Sequence, residues 1–139
     1  MARPLGFAAA AVCAALLLGG CVSIRGGVTH NTVAAVPEGA LRHVVLVKFQ
    51  PAATAADIAA VEAGMAELPA RIPEIDAFEW GVEATGRGLN KGFTHGAVFT
   101  FDTAEDLQTY LDHPAHKAFV DAHRPVIAEL FVFDYIVRR

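Results

Sequence analysis

The sequence has 139 residues, 54% of them hydrophobic, with 11 Lys and Arg against 15 Asp and Glu and a net charge of −4. This acidic balance lacks the basic footprint of a nucleic-acid-binding protein, so we expect no nucleic-acid partner. The only cysteines, Cys13 and Cys21, are too few for a disulfide framework.

The first twenty residues have the pattern of a bacterial lipoprotein signal. Arg3 supplies a small positive region, residues 7–18 are apolar but too short to span a bilayer, and two glycines precede Cys21. A buried or membrane-spanning helix is the alternative. We expect residues 1–20 to be removed and Cys21 to be acylated. Cys13 then leaves with the signal, so no disulfide, thiol nucleophile or thiolate metal site remains.

A tether and one domain are predicted to follow. Residues 21–40 carry three glycines, two threonines and one proline without a sustained period of two or 3.6. Residues 41–139 have the size of one ordinary domain. The lipid anchor would hold this domain at a bacterial membrane, in the periplasm or at the cell surface.

The first half of the domain predicts two strands around a helix. Residues 41–49, LRHVVLVKF, are apolar and β-branched and predict a strand that stops before Pro51. Thr54 and Asp57 have capping-box spacing and predict a helix over residues 55–68, ending before Pro69. Residues 75–85 alternate as a half-buried strand does.

A glycine-rich segment, GRGLNKG at residues 86–92, raises the possibility of an anion site near Arg87 and Lys91. A phosphate-binding loop opens a helix, however, whereas residues 95–101, HGAVFTF, have the composition of another strand. We therefore favour a hairpin loop over an anion site.

The second half predicts two helices and a final strand. Thr103 and Asp106 repeat the capping-box spacing, and Pro114 separates a second helix from a third. Residues 131–137, FVFDYIV, predict the last strand. Strand, helix, strand, strand, helix, helix, strand is an α+β order, with helices packed on a four-stranded antiparallel sheet.

Both faces of this sheet are predicted to be apolar. Val45 and Val47 point to one side of the first strand and Val44 and Leu46 to the other, and the last strand shows the same pattern. Helices on one face leave the second uncovered, although an antiparallel sheet normally exposes a polar face to water. A second sheet is the simplest cover, so we expect a homodimer.

The segment YLDHPAHKAFVDAH, residues 110–123, concentrates a tyrosine and three of the six histidines around one proline. Pro114 ends one helix at His113 and occupies the first turn of the next, which is expected to be shortened or kinked at Pro125. A stripe at helical spacing would then face the sheet. It comprises His116, Phe119, Val120, His123, Ile127 and Leu130.

Three interpretations of this segment compete. A metal site is disfavoured because His116 and His123 lie about 10 Å apart along a helix and no thiolate or HExxH pattern accompanies them. The histidines and Tyr110 could instead be hydrogen-bonded core or capping groups at a helix junction.

The third interpretation is acid-base chemistry. His116 near a helix N-terminus favours the neutral imidazole, and Tyr110 could hold a phenol or oxyanion beside it. His43 and His95 share the phase of core strand residues, and Asp134 lies in an apolar strand where it could orient an imidazole. Together these groups predict a small-ligand pocket.

The segments LRHVVLVKF, KGFTHGAVFTF, YLDHPAHKAFV and FVFDYIV, in this order, resemble the stress-responsive α/β-barrel (Dabb) family. The resemblance spans residues 41–137 and implies a ferredoxin-like fold whose sheets pair into a dimeric α/β barrel. One plant member is a cofactor-free polyketide cyclase that uses a tyrosine and a histidine. These roles fall on Tyr110 and His116, and pocket positions fall on His43, His95 and Asp134.

The resemblance implies a dimeric protein that binds a small apolar or aromatic ligand, with cyclase-like or isomerase-like acid-base chemistry and no cofactor. The predicted lipid anchor would tether this protein to the membrane. Two alternatives stay open at this point. One is a stress-response binding module without turnover, and the other is a cofactor-free oxygenase on the same fold.

Overall fold

The computed structural model describes residues 36–139. The predicted signal, Cys21 and all but the last five residues of the predicted tether lie outside the described residues. Among the helices of residues 36–139, none is long and apolar enough to cross a membrane.

Four strands and three helices follow one another in the predicted order, with a short 3-10 turn added. The strands are β1 (Leu41–Phe49), β2 (Ala77–Val82), β3 (His95–Phe101) and β4 (Ile127–Ile136). The helices are α1 (Ala55–Arg71), α2 (Ala104–Asp112) and α3 (Pro114–His123), and the 3-10 turn spans Arg124–Val126. All neighbouring strands are antiparallel, in the order β2-β3-β1-β4. The predicted α+β, ferredoxin-like fold is confirmed.

Both predicted capping boxes are present. The Thr54 hydroxyl accepts from the Asp57 amide and the Asp57 carboxylate accepts from the Thr54 amide, and Thr103 and Asp106 repeat this exchange. These bonds satisfy amides that would otherwise lack partners in the first helical turn, which explains where α1 and α2 begin.

The predicted end of α1 was wrong. The helix continues through Pro69 to Arg71. Pro69 lies in the last turn, where its missing N–H removes one helical bond. Leu68 and Ile72 are almost completely buried on either side of it, so core packing holds this last turn in place.

The junction between α3 and β4 also corrects the prediction. The chain leaves the helix at His123, passes Pro125 in the 3-10 turn and enters β4 at Ile127, four residues before the predicted start. Ile127 and Leu130 are therefore strand residues, not part of a helical stripe. Pro125 cannot donate a helical hydrogen bond, and pairing with β1 takes up the following residues.

The loop between β2 and β3 is a hairpin connection, as favoured from the sequence. Gly86, Gly88 and Gly92 adopt positive φ angles there, and Lys91 does so too. The loop leads into strand β3 and does not begin a helix. A phosphate-binding loop normally begins a helix, so this arrangement agrees with the preference for a hairpin loop over an anion site.

The two faces of the sheet differ in their cover. Phe99 and Phe101 of β3 are buried against the helices together with Leu68 and Ile72. On the opposite face, which we call the outer face, no described element covers the sheet. It carries Val44, Leu46, Val98, Phe131, Phe133 and Tyr135. Phe131 and Phe133 are about half exposed, so the predicted second apolar face is present and open.

Candidate functional site

A cavity of about 540 Å³ lies between the sheet and the helices. Its walls come from β1, β3 and β4 on the sheet side and from α1, α2 and α3 on the helix side. Apolar side chains dominate the middle, and polar groups gather at the two ends. This is the usual composition of a small-molecule site.

The helix junction places Tyr110 and His116 together. Tyr110 lies in the last turn of α2 and His116 in the first turn of α3, and their ring centroids are 4.3 Å apart. His113 caps α3, because its Nδ1 accepts from the Ala115 amide at 3.1 Å. The capping histidine and Pro114 thus set the angle that brings the two rings onto one wall of the cavity.

Tyr110 presents an unpaired phenol to the cavity. Its side chain is packed between Phe99 and Phe101, and burial raises the pKa of the phenol well above its usual range. Among residues 36–139 no group hydrogen-bonds its hydroxyl, and that oxygen is not sealed from solvent. The hydroxyl therefore stays protonated near neutral pH and is available to donate to a ligand.

His116 has one ring nitrogen engaged by the protein. Its Nδ1 lies 3.1 Å from the carbonyl oxygen of Leu111. A carbonyl only accepts, so Nδ1 carries the proton and Nε2 of the neutral ring keeps a lone pair. Burial lowers the pKa of His116, helped by the charges of His43 and Lys117 and opposed by the Leu111 hydrogen bond. The neutral, proton-accepting form is thus favoured.

His43 and Asp134 form a pair on the sheet side of the same cavity. They are directly opposite one another in the β1–β4 register, and His43 Nδ1 lies 2.6 Å from Asp134 Oδ1. The His43 ring lies 5.9 Å from Tyr110, edge to face. Tyr110 therefore stands between two imidazoles, and the carboxylate of Asp134 orients one of them.

The structure does not bring His95 to this cavity. His95 faces the helices, but it pairs with Val47 near the other end of β1. Its ring nitrogens lie 2.9 Å from Thr94 Oγ1 and 3.1 Å from Glu62 Oε1, and its ring stacks on Trp80. Both ring nitrogens are thus occupied by protein groups. The predicted role of His95 in ligand binding stays a prediction.

The far end of the cavity was not singled out from the sequence. His123, Arg124 and Glu129 line it, close to where α3 ends and β4 begins. His123 belonged to the predicted stripe, but Arg124 lies between the end of α3 and Pro125 and carries no periodic signal. No group of three or more metal-binding side chains occurs within residues 36–139.

The lowered pKa of His116 gives a pH dependence that can be measured. We expect its imidazole to titrate below 6.5, the value of an unperturbed ring. Because the folded pKa is below the unfolded one, the resulting stability is complete above pH 6.5 and is lost as the pH falls through the folded pKa. The stability advantage of the wild type over His116→Asn should therefore shrink on acidification. NMR titration and urea unfolding at two pH values test this, and an advantage that grows toward low pH would contradict it.

Comparison with known proteins identifies a family and several similar proteins. The stress responsive A/B barrel domain family matches residues 41–137. Olivetolic acid cyclase of Cannabis sativa is 32% identical over 100 residues, which cover 72% of this chain and 99% of that protein.

Two solved structures have folds similar to that of this chain. One, from Arabidopsis thaliana, has a TM-score of 0.67 and 29% identity and covers 71% of this chain and 96% of its own. The other, a dimeric ferredoxin-like protein from Thermobifida fusca, has a TM-score of 0.63 and 23% identity and covers 70% and 91%.

Proposed function

This chain belongs to the stress responsive A/B barrel domain family, and we propose that its cavity binds a small, largely apolar carbonyl compound for cofactor-free acid-base chemistry. One observation carries the proposal. An unpaired phenol and an imidazole with a free ring nitrogen lie next to each other on the wall of one apolar cavity. A satisfied helix junction would instead bury both groups against protein partners.

The proposed chemistry assigns a separate task to each group. Nε2 of His116 takes a proton from the carbon next to the carbonyl, which leaves an imidazolium and an enolate. The Tyr110 hydroxyl donates to the enolate oxygen, where negative charge develops. The enolate carbon then attacks a second carbonyl or is reprotonated, and the imidazolium returns the proton. The similarity to a cyclase supports this class of reaction.

His43 and Asp134 serve as positioning residues in this proposal. Asp134 accepts from Nδ1 of His43 and holds its ring toward Tyr110. The His43 ring then limits how the phenol can tilt and presents its own Nε2 to the same end of the cavity. A ligand carbonyl beside Tyr110 would be in reach of both imidazoles.

The experiment that tests the proposal uses proton exchange rather than a product. The full chain is incubated with nonan-2-one in D2O, and loss of the proton signals next to the carbonyl is followed by NMR. We expect exchange well above that of buffer with an equal concentration of free imidazole. Exchange no faster than in that buffer would rule out acid-base chemistry on ketones of this kind.

A homodimer paired through the outer face is part of the proposal. That face exposes Phe131 and Phe133, and Val44 and Leu46 lie beside them. A two-fold axis would lay the same face of a second copy on it and close two sheets into one barrel. The similar structure from Thermobifida fusca is dimeric, which supports a homodimer.

We also propose that Cys21 anchors the chain, with residues 21–40 as a tether and residues 41–139 as the domain. The two glycines before Cys21 are the feature that supports it. Cys21→Ser should block processing or release the protein from membranes, which fractionation and intact mass measure. A variant that still fractionates with membranes at the mass of the processed wild type would show that the lipoprotein prediction is wrong.

A further inference from the structure

His123 differs from the other histidines that the structure describes. The side chains of His43, His95, His113 and His116 each have a hydrogen-bond partner. Within residues 36–139 His123 has none, although its ring is half buried and lines the cavity. It packs on Phe119 with centroids 4.8 Å apart. It also lies over Gly64, where an added Cβ would come within 2.8 Å of Nε2.

Arg124 stands beside His123 at the same end of the cavity. No carboxylate of the described chain lies within ion-pair distance of its guanidinium. Glu129 also lines this end, but its carboxylate lies 3.6 Å from Nζ of Lys48. The Glu129 carboxylate is thus paired with Lys48, whereas the Arg124 guanidinium has no ion-pair partner among residues 36–139.

The two polar ends of the cavity are separated by an apolar wall. His116 and His123 are seven residues apart on α3, hence about 10 Å along the helix axis. Between them the cavity is lined by Val45, Val47, Phe119, Val120 and Val132. A ligand that fills this space has an apolar body, one end at Tyr110 and His116, and the other at His123 and Arg124.

We infer that His123 and Arg124 bind a carboxylate at the far end of the ligand. The ligand class is then an amphiphilic keto acid, with its reacting carbonyl about one cavity length, roughly 10 Å, from its carboxylate. The exposed guanidinium of Arg124 and the half-buried imidazole of His123 are suitable donors for such a group. This inference rests on the proposed function and adds the chemical group, a carboxylate, at the second end of the ligand.

The test compares 9-oxodecanoate with its methyl ester, which lacks the negative charge and carries one additional methyl group. Binding of each to the full chain is measured by calorimetry at neutral pH. We expect the acid to bind about tenfold more tightly than the ester, as for one charge-assisted contact. Arg124→Gln should remove most of that difference, because glutamine keeps a hydrogen-bond donor but has no charge. The Arg124 side chain is exposed, so folding should be unaffected.

Two further variants sharpen the result. His123→Leu keeps the apolar volume, removes the ring nitrogens and should also reduce the preference for the acid. Arg71→Gln makes the same charge change as Arg124→Gln at an exposed position outside the cavity, and should retain the full preference. A loss of preference in Arg71→Gln would point to net charge and overturn the inference.

The remaining outcomes separate this inference from the proposed function. Equal affinity of the acid and the ester, or a preference that is as large in Arg124→Gln as in the wild type, overturns the carboxylate site but leaves a ketone-binding cavity intact. Binding of neither probe overturns both.

Discussion

Tyr110→Phe is expected to lower the rate of proton exchange on nonan-2-one by about 10²-fold or more, the usual range for a lost acid-base group. The melting temperature should stay within a few degrees of the wild type. The reason is that no described residue hydrogen-bonds the Tyr110 hydroxyl, whereas the ring, which the variant keeps, packs on Phe99 and Phe101. NMR exchange rates and thermal melts of the two proteins measure both effects.

His116 allows a matched pair of variants that separates support of the helix junction from chemistry. In His116→Asn the side-chain amide can still donate to the Leu111 carbonyl, as Nδ1 does, but the position of Nε2 is lost. His116→Ala loses both groups and should cost about 1 kcal/mol more in unfolding free energy. Both should lose exchange activity to the same extent. Full activity in His116→Asn would show that His116 does not act as the base.

Phe133→Glu is expected to separate the dimer. A carboxylate placed in a paired apolar face is desolvated without a partner. The dissociation constant should therefore rise by about 30-fold or more, the equivalent of roughly 2 kcal/mol for a central interface residue. Analytical ultracentrifugation of residues 36–139 at micromolar concentration measures it. The wild-type fragment should sediment as a dimer.

Ala118→Glu is the matched control, since it adds the same charge on the exposed surface of α3. This variant should remain dimeric. A wild-type fragment that is a well-folded monomer across the accessible range would contradict the paired-sheet proposal. Dissociation by Ala118→Glu as well would attribute the effect to net charge rather than to the outer face.

Local signals predicted the elements whose ends are set by local chemistry. The capping boxes at Thr54 and Thr103 and the break at His113 depend on bonds within a few residues, and the structure has all three. The incorrect predictions concern the end of α1 and the start of β4, which tertiary packing determines. Burial of Leu68 and Ile72 carries α1 past Pro69, and pairing with β1 turns residues 127–130 into strand.

The candidate site could also be predicted only in part from the sequence. Alternation along a strand indicates which residues share a face, and it correctly grouped His43 with Val45 and Val47, which line the same cavity. It does not indicate which end of the sheet a residue occupies. The β1–β3 register puts His95 beside Val47, away from Tyr110. The position of Arg124 at the cavity could not be predicted either, because it depends on where α3 ends and β4 begins.

The central claim is that the segment from Tyr110 to His116 is a ligand site rather than only a helix junction. Native mass spectrometry of the wild type, Tyr110→Phe and His116→Ala, each purified from its own host and paired with melting curves, tests it most directly. We predict a small molecule of carbonyl-containing composition bound to the wild type. It should be reduced or lost in His116→Ala and Tyr110→Phe, with only modest changes in melting temperature. Strong destabilisation of both variants with ligand retention unchanged would contradict the claim.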